Sequence, residues 1–230
     1  MQVQATADQI KAIQTTFINK VYSWMTLALA ITGFVALRTL QSYELMNLIL
    51  SSGNGIMVLF LLELGLVFWM VSRIGSMSSN MAIGLFLLYS ALNGLTLSII
   101  LFAYTGQSVA MVFFITAGTF ASMSMYGYFT KKDLSGWGNF LYMALIGLII
   151  ASVVNLFMKS EAAYYLMSYI GVLIFVGLTA YDTQKIKQMS LTVDADSEEG
   201  RKGAILGALT LYLDFINMFI FLLRIFGNRR

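Results

Sequence analysis

The sequence predicts an all-α polytopic membrane protein of seven transmembrane helices. Three observations carry the class. Of 230 residues, 59% are hydrophobic and only 11% charged, where a soluble domain carries about 25%. Mean hydropathy is +0.79. The apolar residues fall in runs of about twenty, the length that crosses a ~30 Å hydrocarbon core, and not in the alternating ten-residue segments of a membrane β-barrel.

Residues 1–20 read as a short cytoplasmic N-terminal tail forming an amphipathic helix. They contain Asp8, Lys11 and Lys20 and no apolar core, so they do not read as a cleavable signal peptide. Residues 21–230 read as a single seven-helix domain, with apolar runs at 21–37, 56–72, 81–103, 109–129, 139–158, 164–182 and 204–226. The links are short, so successive helices are expected to be antiparallel neighbours.

The placement of Lys and Arg sets the orientation. With the N-terminus cytoplasmic, Lys11, Lys20, Arg73, Lys131, Lys132, Lys185, Lys187, Arg201 and Lys202 gather inside. Arg38 and Lys159 fall outside. Arg224, Arg229 and Arg230 disagree if the last run crosses fully, and the other possibility is a re-entrant last segment. The length of 204–226 favours a full crossing.

The chain has no cysteine, histidine or proline. Disulfide, thiol and iron–sulfur chemistry are excluded. A response near neutral pH must come from carboxylates, because the usual switch residue is missing. Breaks or close approaches in helices must use the 19 glycines. The net charge of +3 is spread around the membrane ends and does not suggest nucleic acid binding. No cofactor motif is present, and the chain reads as a non-enzyme whose surroundings are membrane lipid.

The second run holds Glu63 in its interior and Arg73 at its cytoplasmic end. A carboxylate at that depth is costly and marks function, so Glu63 is a candidate for an ion path and Arg73 for charge balance. In the third to fifth runs, Asn93, Ser98, Thr116, Ser122 and Asn155 read as interhelical hydrogen-bonders. The 15 methionines are spread through the apolar runs and read as core filler, not a copper site.

The last third holds most of the information. Tyr181-Asp182 closes the sixth run, and Asp214 lies within the seventh. Their midpoint falls in the polar connector 192–203, so an antiparallel hairpin brings them out level. Gly203 and Gly207 form a G-x-x-x-G pair that allows close helix approach. Thr210, Asp214, Asn217, Phe221 and Arg224 follow at steps of four and three, which is one helix face. A span with such a stripe should turn it away from lipid and be surrounded by protein. The connector acids Asp194, Asp196, Glu198 and Glu199 read as a solvated loop, or as a lure for cations at a cytoplasmic mouth.

Two like charges in a low dielectric cannot easily both ionise, so Asp182 and Asp214 would share a proton that joins the two helices. Raising the pH, or binding a cation, removes it. Hard cations such as calcium prefer oxygen ligands, and two carboxylates with carbonyls and water would make a weak calcium site. One strain accompanies this pairing. Asp214 lies about 15 Å along a helix from Ala204, while Asp182 ends its run. The sixth helix must therefore continue through Lys187, or the seventh must begin below the membrane surface.

Leu211-Tyr212-Leu213-Asp214-Phe215-Ile216-Asn217-Met218-Phe219, followed by Leu222-Leu223-Arg224-Ile225-Phe226-Gly227, resembles the last transmembrane segment of the Bax inhibitor-1 (TMBIM) family. Tyr181-Asp182-Thr183-Gln184-Lys185-Ile186 is similar to that family's other aspartate motif, and Lys131-Lys132-Asp133-Leu134-Ser135 to its cytoplasmic loop. The resemblance implies a seven-helix bundle around the last helix. It also implies a pH-sensitive calcium leak whose di-aspartyl sensor is Asp182 and Asp214. Glu63 fits the family's acid in the second span, and Arg73 its basic residue with a small shift of register. The membrane expected is the bacterial inner membrane.

Other readings compete. A non-catalytic regulator would bind a membrane-protein partner such as a membrane protease, as the resemblance implies for some bacterial members. An intramembrane aspartyl protease also carries two aspartates on adjacent spans. Here Leu211-Tyr212-Leu213 stands where that class resembles Gly-Leu-Gly, and its Pro-Ala-Leu motif cannot occur without proline. Finally, the two aspartates could merely clasp the final hairpin.

Overall fold

The computed structural model describes residues 7–51 and 55–230. The first six residues of the expected tail lie outside the described residues. Among those described, eight helices account for nearly all of the chain: α1 (Ala7–Gln41), α2 (Tyr43–Ser51), α3 (Gly55–Arg73), α4 (Ser79–Phe102), α5 (Gly106–Phe129), α6 (Ser135–Met158), α7 (Glu161–Met189) and α8 (Glu198–Phe226). Seven of them, all but α2, are long and apolar enough to cross a membrane. The protein is an all-α polytopic membrane protein, and its seven spans are the seven apolar runs.

The helices overrun the apolar runs because polar residues at a membrane surface need not end a helix. The first is the clearest case. On α1, Phe17, Val21, Met25, Ala28, Thr32, Ala36 and Thr39 are buried at steps of four and three, one continuous face. That face begins at Phe17, inside the expected tail. The nine-residue α2 was not expected at all; Ser42 opens it by accepting the Leu45 N–H at 3.3 Å.

The chain forms two compact units. One runs to Ala103 and adds Gln188–Leu209. The other joins Tyr104–Lys187 to Thr210–Arg230.

In the first unit, α1 lies along α4. Gly94 permits this, since a Cβ there would meet the Thr32 carbonyl at 2.7 Å. Thr32 Oγ1 donates to the Ser90 carbonyl at 2.8 Å. The α7–α8 connector is fastened within the same unit. Lys20 Nζ donates to Asp196 Oδ1 at 2.6 Å and to the Ala195 carbonyl at 2.9 Å. Glu198 accepts from the Ser79 N–H and Oγ at the start of α4, where a helix N-terminus favours an anion. Lys202 donates to the Gly75 carbonyl at 3.1 Å. The acidic connector is thus solvated, yet Asp196 and Glu198 hold partners on other elements and Asp194 accepts the Asp196 N–H at 3.0 Å.

In the second unit, α7 packs against α5 and α6. A Cβ on Gly127 would strike the Ala180 carbonyl, and one on Gly138 the Tyr181 ring. Gln184 Oε1 accepts the Leu134 N–H at 2.9 Å, and its Nε2 donates to the Lys132 carbonyl at 2.8 Å. This pins the Lys131–Ser135 loop to α7. The far end of α8 is fixed by an isolated antiparallel bridge between Tyr104 and Arg229, and Arg229 Nη2 donates to Tyr164 Oη at 3.3 Å. The end of the chain therefore shares a membrane side with the α4–α5 and α6–α7 connections. The last segment is one uninterrupted helix, long and apolar enough to cross a membrane.

Burial separates the spans. Two thirds (67%) of the apolar window of α8 is buried, against 6% for α6 and at most 39% elsewhere. The last helix is surrounded by protein. Its close packing does not come from Gly203, where a Cβ would meet nothing nearer than 3.7 Å.

Two outcomes follow. Gly127→Ala should destabilise the chain by about 1–3 kcal/mol through overpacking, while Gly118→Ala, with open space around its Cβ, should not; unfolding in detergent micelles compares them. The hydrogen bond and charge of Lys20 hold the Asp196 carboxyl below its usual range. A carboxylate lowered on folding stabilises above its unfolded value, about pH 3.9, and loses this as pH falls through the folded value. Wild type and Asp196→Asn should therefore differ in Tm at neutral pH and converge in acid.

Candidate functional site

Asp182 and Asp214 meet inside the second unit. Asp182 is 2% exposed and Asp214 4%, and their carboxyl groups lie within hydrogen-bonding reach of each other. Asp182 sits seven residues before the end of α7 and Asp214 sixteen past the start of α8. The pair is the one the midpoint selects, but it is reached by unequal arms, because a connector need not sit symmetrically between its helices. The expected strain is relieved as foreseen: α7 continues through Lys187 to Met189. Lys187 Nζ donates to the Tyr128 carbonyl at 2.7 Å and lies 4.8 Å from that ring's centroid.

Apolar residues enclose Asp214. Leu211, Tyr212, Phe215 and Met218 on its own helix are all buried. Phe215 meets Phe113 and Phe120 of α5 edge-on, with centroids 5.6 and 5.5 Å away. Asp214 Oδ2 is buried and accepts no hydrogen bond. An unpaired carboxylate oxygen in such a place costs the full desolvation of the group.

The sequence reading missed Tyr142 of α6. Its hydroxyl lies 3.2 and 3.3 Å from the two carboxylate oxygens of Asp182, and its ring meets Tyr181 edge-on at 6.0 Å. A tyrosine on a lipid-rich helix carries no periodicity signal, so only the fold reveals it. The cation whose field reaches Asp182 is Lys185, on the same helix. The polar atoms of the site are thus two carboxyl groups and one phenol. Among the described residues no group of three or more His, Cys, Asp or Glu could hold a metal.

The other expected residues are dispersed. Asn217 Nδ2 donates back to the Leu213 carbonyl at 2.8 Å. Arg224 stacks over Tyr164 and Phe221, 5.2 and 5.1 Å from their centroids. Thr210, Asn217, Phe221 and Arg224 are only half-buried, while Asp214 is the fully enclosed member of their stripe. In the first unit, Glu63 is 7% exposed and accepts from Thr96 Oγ1 at 2.6 Å. Arg73 is exposed at the end of α3, about 15 Å along the helix from Glu63, so these two are not brought together.

The expected interhelical bonds are mostly local instead. Ser98, Thr116 and Ser122 donate to carbonyls of their own helices. Asn93 faces Tyr89 four residues back at 3.5 Å, and Asn155 bonds Ser160. A hydroxyl in a helix finds a carbonyl one turn away at no cost in tertiary geometry. Hydrogen bonds that cross between helices include those of Thr32, Thr96, Tyr142, Thr183 and Lys187, and a weaker one from Ser98 to the Met46 sulfur at 3.9 Å.

Replacing Tyr142 with Phe removes the donor to Asp182 while keeping the ring. It should cost about 1 kcal/mol, within the range of hydrogen bonds between membrane helices, and unfolding in mild detergent measures it. Phe at Tyr165, which is exposed, is the neutral comparison.

Comparison with known proteins agrees with this architecture. A family model described as "Inhibitor of apoptosis-promoting Bax1" matches residues 14–230. The chain is 52% identical to the "Inner membrane protein YbhL" of Escherichia coli (strain K12) over 223 residues, covering 96% of this chain and 95% of that protein. It is 44% identical to an uncharacterized protein of Borreliella burgdorferi over 218 residues, 95% and 94% of the two chains. It is 41% identical to an uncharacterized membrane protein of Streptococcus pyogenes over 215 residues, 92% of each. With its family model spanning nearly the whole chain and relatives matched end to end, the chain belongs to the Bax inhibitor-1 family.

Proposed function

We propose that the protein is a pH-sensitive cation leak, with calcium as the permeant ion, gated by a proton shared between Asp182 and Asp214. The observation that carries this is the facing carboxyl pair, with Asp214 Oδ2 buried and unpartnered. Two carboxylates so placed repel when both are charged. One proton between them turns the repulsion into a hydrogen bond and draws α7 to α8. A chain without histidine has few other ways to respond near neutral pH.

The same oxygens suit a passing hard cation. Both carboxyl groups and the Tyr142 hydroxyl offer fewer oxygens than the six to eight calcium takes, so water completes the shell and the ion is held weakly. Weak holding is what permeation needs. Glu63, buried in the first unit, is a second acidic position on our reading of the path. We place the protein in a bacterial inner membrane, as the name of the Escherichia coli relative says of that protein. The N-terminus is cytoplasmic on the nine-against-five division of basic residues.

Calcium flux into proteoliposomes, followed from about pH 6 to pH 8, tests the proposal. Wild type should show flux that varies with pH. Asp182→Asn and Asp214→Asn should each flatten or displace the profile, because an amide cannot carry the shared proton. Flux no greater than in protein-free liposomes at every pH would falsify the leak and leave the pair as a clasp in a partner-binding regulator.

A further inference from the structure

A second site lies in the second unit, between α6 and α7. It begins as an apolar groove of about 510 Å³, within the 300–1,000 Å³ range of ligand sites. Ala144, Gly147 and Ala151 form its floor on α6, at steps of three and four. The absence of large side chains on that face opens the groove. Its lining runs from Ala144 to Met158, about 21 Å along the helix, more than the ~15 Å of one leaflet of the hydrocarbon core.

The groove ends at a polar mouth of about 240 Å³, and Asn155 lines both. Lys159, Ser160, Tyr164 and Arg229 line the mouth, with Glu161 as its acid. Arg224 and Arg229 both stack on Tyr164, 5.2 and 5.7 Å from its centroid. None of Lys159, Arg224 and Arg229 forms an ion pair with a carboxylate among the described residues.

Lys159 stands in an unusual place. It is the one non-glycine residue with positive φ among those described, at φ 51°, a conformation that a Cβ disfavours. Asn155 holds it there: its Oδ1 accepts the Ser160 N–H at 3.1 Å and its Nδ2 donates to the Ser160 carbonyl at 3.3 Å. The turn suits Gly or Asn better than Lys, and its result is an ammonium at the mouth of an apolar groove.

We propose that this groove and mouth form a binding site for an anionic phospholipid, with an acyl chain along α6 and the phosphate between Lys159 and Arg229. Charge complementarity selects this occupant. A second apolar helix would fill the groove but bring no anion to the cations, and a free phosphate would leave the groove unused.

Native mass spectrometry of the delipidated full-length protein, titrated with dioleoylphosphatidylglycerol or dioleoylphosphatidylcholine, tests it. Wild type should prefer phosphatidylglycerol. Lys159→Asn keeps a residue that tolerates the turn, and Arg229→Gln changes an exposed side chain; each should lower the preference about five-fold. Gly147→Leu, whose Cβ meets nothing within 4 Å, should fill the groove and reduce occupancy by both lipids. Equal binding of the two lipids by wild type overturns the proposal. So does unchanged lipid occupancy in Gly147→Leu, or full displacement by excess inorganic phosphate. A wild-type dimer that Gly147→Leu splits would assign the groove to a second copy and overturn it equally.

Discussion

Everything distinctive in this molecule depends on keeping two carboxyl groups together where water is scarce. A lone carboxylate in such a place is costly, and a second one beside it adds repulsion. Asp182 and Asp214 stay because the rest of the second unit is built around them. Gly127 and Gly138 let α7 settle closely on α5 and α6. Tyr142 gives Asp182 a hydrogen bond, and an aromatic cluster of Phe113, Phe120 and Phe215 closes over the α8 side. One oxygen of Asp214 is left without a donor.

The connector between α7 and α8 solves a different problem. It is rich in acids, and a loop of like charges would be held loosely on its own. Lys20 takes Asp196, and the start of α4 takes Glu198. These contacts lie in water, where single ion pairs are weak, but several of them acting on one short segment fix where α8 begins. Because Asp196 is held ionised by Lys20, the clasp does not titrate near neutral pH. On the proposed gating, a response there falls to the buried acids.

Much of this was legible in the sequence. The seven spans follow from run length, because a membrane demands about twenty apolar residues and little else. The dyad was legible because an acid in an apolar run is rare enough to stand out, and because the strain in its depth forced α7 to extend past Lys187. The partners were not legible. Thr116 and Ser122 looked like bridges between helices, but each satisfies itself on its own turn, and Ser98 reaches the Met46 sulfur of another helix only beside a shorter bond to its own. Nothing in the apolar pattern marks Tyr142, whose hydroxyl donates to Asp182. Hydrogen-bond partners across helices depend on rotation about each axis, which composition does not specify. The same holds for Glu63 and Arg73, ten residues apart on one helix and facing different surroundings.

The proposed gate rests on one proton shared by Asp182 and Asp214. Infrared spectroscopy of the reconstituted full chain reads it directly, through the protonated-carboxyl band followed from about pH 6 to pH 8. A band that fades across this range, is lost or displaced in its titration in Asp182→Asn and in Asp214→Asn, and is unchanged in Glu63→Gln is the expected result. A spectrum with no titrating carboxyl, or one unchanged by either aspartate substitution, would contradict it.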